Sequence, residues 1–152
     1  MEKKVYSGIV KAISDGTTYN GLYTLYSYIE MSDGTMIKKL FSMTGIDGKL
    51  NAALQSDQEV ELHVAPSLTK INGSKVLLLI AIKMPDGRIY AIEPDKLSPS
   101  IMYILAIVFM GILGSIIFIG LILLWFAWNM WRQKRFADEL KAYLQSLNPI
   151  FI

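Results

Sequence analysis

The chain alternates strictly in "EVELHVAP", where Val60, Leu62 and Val64 share one side of an extended backbone and Glu59, Glu61 and His63 the other. This period of two is that of a half-buried strand. Upstream, "VYSGIVKAIS" predicts a first strand, "DGTTYNG" a polar loop and the aromatic-rich "LYTLYSYIEM" a second strand. Aromatic and β-branched side chains suit a pleated surface. "SDG" turns the chain into a third strand, "TMIKKLFSM", and in "TGIDGKLNAALQSD" the residues Leu50, Ala53 and Leu54 fall at helical spacing. After the alternating strand, "KINGS" marks a turn, "KVLLLIAIKM" a nearly continuous apolar strand, "PDG" a hairpin turn and "RIYAIE" a last strand.

The pattern changes at Ile101. No charged residue occurs between Lys96 and Arg132, and residues 101–128 are apolar or small, which predicts one transmembrane helix after a short linker at 96–100. At 1.5 Å per residue such a helix would be about 42 Å long against a hydrocarbon core of about 30 Å, so it would tilt. Tyr103 at one end and Trp125, Trp128 and Trp131 at the other would mark headgroup depth. Gly111 and Ser115, with Gly114 beside them, form a small-residue pattern that lets another helix approach. Within residues 129–152, Phe136, Leu140, Tyr143, Leu144 and Leu147 follow a helical spacing apart from most of the charges, and Asn148-Pro149 stops the run. Such an amphipathic helix would lie on the membrane with its basic residues at anionic headgroups, or dock on a membrane partner or a second copy.

Three strands, a short helix and a hairpin-forming pair, over about residues 4–93, are similar in order to the OB-fold, a five-stranded Greek-key barrel. The expected fold class is therefore mainly β with one short helix. A small OB-like or SH3-like barrel in residues 1–95 would precede a single transmembrane helix and a C-terminal amphipathic helix. An open α+β sheet is the competing arrangement.

Charge and composition narrow the function. The first 98 residues carry 11 Lys and Arg against 11 Asp and Glu, while the tail after Trp128 carries four against two. A neutral domain argues against nucleic acid as the main partner, because phosphate binding needs surplus positive charge. The absence of cysteine excludes disulfides, thiolate metal sites, cysteine nucleophiles, lipobox acylation and palmitoylation. His63 is the only histidine, and its place on the polar side of a strand predicts a solvated ring. A lone histidine among scattered carboxylates has no metal-ligand spacing. "SDG", "IDG" and "PDG" read as ordinary turns, and the serines lack a catalytic arrangement. Neither an enzyme nor a cofactor is expected.

Sidedness is contested. "MEKKVYSGIVKAISDG" lacks the apolar core of a signal peptide, which keeps the domain in the cytoplasm. "WRQKR" directly after the span draws the tail to that same side. A cytoplasmic domain is preferred, since exporting the 11 positive charges of the domain is harder than exporting the short tail. A hairpin turning at "GILGS" satisfies both rules, but arms of about 15 residues are too short for two full spans.

The candidate binding face consists of Tyr23, Tyr26 and Tyr28 with Lys38 and Lys39 on the next strand, beside Tyr19. Tyr26 and Tyr28 are expected on one face and Tyr23 on the other. Half-buried tyrosines of a small barrel are the simplest explanation. A protein-binding face comes next, and base stacking on single-stranded nucleic acid last. The combined expectation is a non-catalytic, single-pass protein of the bacterial inner-membrane type. It would act as an interaction or accessory subunit of a membrane complex, including an immunity or inhibitor protein against a membrane-active toxin. Its partners would be the lipid bilayer and a membrane protein or second copy. The alternative is a tethered receptor whose barrel face takes a small ligand or single-stranded nucleic acid.

Overall fold

The computed structural model describes residues 3–19, 21–71, 74–94, 98–113 and 119–151. In chain order the elements are β1 (Lys4–Ile13), β2 (Gly16–Tyr19), β3 (Tyr23–Met31), β4 (Met36–Met43), α1 (Thr44–Ser56), β5 (Glu59–Ile71), β6 (Ser74–Lys83), β7 (Ile89–Ala91), α2 (Ile101–Leu113), α3 (Ile119–Ser146) and β8 (Ile150–Phe151). They form two compact units, residues 1–92 with 144–152, and residues 93–143.

In the first unit five strands close a barrel. β1 pairs antiparallel with β3 and β5, β3 with β4, and β5 with β6. The circuit closes where β4 and β6 run parallel, Leu40 opposite Leu77 and Phe41 opposite Leu78. Val10, Ile29, Ile37, Leu40, Leu62 and Leu79 fill the interior. The helix predicted between the third and fourth long strands is α1, which buries Ile46, Leu50 and Ala53 at helical spacing and ends on Asp57 in the left-handed region. The "SDG" and "PDG" turns follow from their residues. Gly34 and Gly87 take φ of 82° and 81°, where a side chain would be strained. The Asp33 and Asp86 carboxylates each accept the backbone N–H two residues on, as Asx turns do.

Two strands lie where none is predicted. β2 occupies the supposed polar loop and pairs with β3 from Gly16 opposite Tyr26 to Tyr19 opposite Tyr23. Gly16 is needed there because a Cβ would collide with Thr24 Cγ2 and lie 3.0 Å from Tyr26 Cε1. At the far end of the chain, β8 runs parallel to β7, with Ile150 opposite Tyr90 and Phe151 opposite Ala91.

The single helix expected over 101–128 is corrected in the second unit. Among the described residues the segment contributes α2 of 13 residues and α3 of 28, and none of these helices is long and apolar enough to cross a membrane. A Cβ on Gly111 would sit 3.2 Å from Leu124 Cγ and 3.4 Å from the Gly120 carbonyl oxygen. In one continuous helix, positions thirteen apart would be separated by about 20 Å. The start of α3 therefore packs back against the end of α2, and the small residue predicted to admit a foreign helix admits a helix of the same chain. The tail helix forms as α3 runs to Ser146, but Leu140 and Leu144 are fully buried and Phe136, Tyr143 and Leu147 half-buried.

Candidate binding faces

The outer surface of β2, β3 and β4 carries an aromatic cluster. Cross-strand pairing sets Tyr19 opposite Tyr23, Leu25 opposite Phe41 and Tyr23 opposite Met43. The Phe41 ring stacks on Tyr19 at 6.0 Å and 29°, and meets Tyr23 at 5.7 Å and 60°. Both are favourable aromatic geometries. Leu22 at the β2–β3 turn is 58% exposed and extends the patch with Tyr19, which is 40% exposed.

The five predicted face residues do not stay together. Tyr26 points into the barrel and is only 6% exposed. Burial, and then the charge of Asp47 and its hydrogen bond, push the Tyr26 hydroxyl up to about 12. Asp47 also accepts the Thr24 hydroxyl proton at 2.6 Å, so the first turn of α1 is tied to β3. Tyr28 lies opposite Lys38 and both are exposed, as is Lys39. The phase slips because Lys39 takes φ of 55°, leaving Lys38 and Lys39 both outward on β4 and Ser27 and Tyr28 both outward on β3. Such an irregularity re-aims side chains. Here Ser14 Oγ accepts the N–H groups of Ser27 and Tyr28. Tyr23 thus belongs with Tyr19 and Phe41, and Tyr28 with the two lysines. Sequence reasoning missed Phe41. Its signal is the adjacent pair Leu40-Phe41, which cannot both face inward along a regular strand.

His63 also departs from expectation. It is 4% exposed, because the pairing of β5 with β6 shifts register between His63 and Val64 and places consecutive residues of β5 in buried positions. Its Nε2 lies 3.8 Å from Glu61 Oε2, and Glu61 Oε1 accepts from Lys83 Nζ at 2.6 Å. Burial lowers the His63 pKa from its ordinary 6.5, Glu61 opposes this, and Lys83 adds to it. The fold therefore favours the neutral ring, and the stabilisation it confers is present above the unfolded value and lost as pH falls through the depressed folded one. The melting temperature is expected to decline on acidification below about pH 6.5, and His63→Gln to flatten that decline. An unchanged acid limb in the variant would assign it to other groups.

Beside this cluster lies an open groove of about 390 Å³, lined by Ser7, Gln58, Glu59, Glu61, Lys83 and Gly87 among others. Its one lining lysine is already paired with Glu61. Among the described residues no group of three or more His, Asp or Glu could hold a metal ion.

The second unit has a different surface. Met102, Tyr103, Leu105, Phe109, Met110 and Ile112 of α2, and Leu121, Ile122, Trp125, Phe126 and Trp128 of α3, are each more than half exposed. Exposed large apolar side chains at this density are unusual on the surface of a monomeric soluble protein. Toward the charged half of α3, the Trp128 and Trp131 rings lie 5.2 Å apart and the Arg135 guanidinium sits 4.9 Å from the Trp131 ring centre. Of the predicted packing residues, Gly111 makes the contact between helices, and Gly114 and Ser115 lie outside the described residues.

Comparison with protein families, with curated proteins and with solved structures finds no match to this chain.

Proposed function

We propose that this is a binding protein held at a membrane, in which α2 and the apolar half of α3 enter one leaflet from one side while the barrel presents its aromatic face to a protein partner. The observation that carries the reading is where the large exposed apolar side chains lie: they crowd α2 and the first half of α3, with a smaller aromatic patch on β2, β3 and β4. Thirteen helical residues extend about 20 Å, short of the roughly 30 Å core but long enough to enter half of it. The hairpin geometry also suits both sidedness rules, since neither the barrel nor the basic tail has to be exported. Reading the barrel as OB-like is supported by the parallel closure of β4 on β6 and by the place of α1 between β4 and β5. An accessory subunit of a membrane complex fits this arrangement, and an inhibitor of a membrane-active toxin is a special case of it.

A photo-crosslinking residue at Tyr23, in the full chain in native membranes, tests the face. The expected result is one discrete protein adduct that disappears with Phe41→Ala. A labelling pattern no different from that of a crosslinker at the exposed Val5 would sink the proposal. The second reading, a receptor for single-stranded nucleic acid, is favoured by the exposed group of Tyr28, Lys38 and Lys39. An oligonucleotide adduct from Tyr28 would support it in place of a protein partner.

A further inference from the structure

We infer that α3 carries a binding site for anionic phospholipid headgroups, formed by Arg132 and Arg135 around Trp131. The inference rests on the membrane reading above and adds a chemical preference to it.

Trp128, Trp131 and Arg135 are spaced by three and four residues, so they form one ridge along α3. The ridge runs from apolar to charged. Trp128 is 57% exposed and Trp131 39% exposed, and an indole ring settles where hydrocarbon meets headgroup. One turn further, Arg135 rests on the Trp131 ring at 4.9 Å. A guanidinium held over an indole by a cation–π contact still has N–H groups that can grip phosphate in bidentate fashion. Arg132 is exposed next to Trp131. Among the described residues neither arginine has a carboxylate partner, whereas Lys134 is engaged by Asp138 at 3.3 Å. The local charge balance therefore leaves two cations at headgroup depth. They match an anionic lipid surface better than a zwitterionic one, and each basic residue near such a surface contributes roughly a fivefold gain in partition.

Flotation of the full chain, diluted from detergent onto vesicles, provides the test, with pure phosphatidylcholine compared with a mixture containing phosphatidylglycerol. Wild type is expected to bind both, and the anionic vesicles about twenty-fivefold more strongly, for two cations. Arg132→Gln with Arg135→Gln should bind phosphatidylcholine as wild type does and lose most of the anionic gain, with unchanged far-ultraviolet dichroism. Equal binding of wild type to both vesicles overturns the inference and leaves the membrane reading standing. A preference that survives in the double variant overturns it too, by placing the selectivity elsewhere. Failure to bind either vesicle removes both, and assigns the apolar helices to a protein partner.

Discussion

Gly111→Cys and Leu124→Cys, introduced together, are expected to join as an intrachain disulfide under mild oxidation. A Cβ on Gly111 lies 3.2 Å from Leu124 Cγ, and a disulfide requires β-carbons about 4 Å apart. The chain has no cysteine of its own, so the background is clean. The effect is close to all-or-none because the competing structure is so different: a continuous helix over 101–128 would hold the two positions about 20 Å apart. Oxidation of dilute protein, read by mass loss and gel mobility, distinguishes them. Persistently free thiols would restore the single helix and with it the possibility of a full span.

Leu40→Ala is expected to cost the barrel about 2–5 kcal/mol, the range for deleting a buried leucine. Leu40 is fully buried, opposite Tyr26 on β3 and opposite Leu77 on β6. It therefore packs where the barrel closes, and the cavity left by alanine would loosen β3 and β6 together. For a small domain stable by about 5–15 kcal/mol this is a large share. Trp125, Trp128 and Trp131 all belong to α3, so indole fluorescence would miss the event. Tyrosine near-ultraviolet dichroism or amide exchange in β4 and β6 would follow it. Met36→Ala at a 51% exposed site of the same strand serves as the control, with a change of no more than about 0.5 kcal/mol. Equal losses from the two substitutions would mean that β4 does not close the barrel as described.

The five barrel strands and α1 are legible from the sequence because Gly and Asp turns punctuate them and their apolar residues keep a regular period. β2 is not, since "GTTY" is short, exposed on all four residues and recognisable only through its pairing with β3. The candidate binding face is half legible. Tyr23 and the exposed group of Tyr28, Lys38 and Lys39 could be named from the sequence, but the slip at Lys39 that separates them, and turns Tyr26 inward, depends on a backbone angle that no period encodes. His63 was misplaced for the same reason, a register shift one residue beyond a perfect alternation. Residues 101–128 depart from the sequence pattern for a different reason. Hydropathy is a scalar and carries no direction, so a uniformly apolar run looks the same whether it continues or doubles back.

The parallel closure of β4 on β6, with Leu40 and Leu77 as partners, and the pairing of Lys4 with Val64 across β1 and β5, set an order of events on the ribosome. These are distant contacts, and barrels built from them fold in roughly milliseconds to seconds. Ile101, the first residue of α2, lies 18 residues after Lys83, the last residue of β6. At about 5–20 residues per second their synthesis takes about 1–4 seconds. The barrel can thus seal its own apolar interior before the exposed apolar helices α2 and α3 are complete, and the two greasiest parts of the chain need not be unfolded in the same water at the same time.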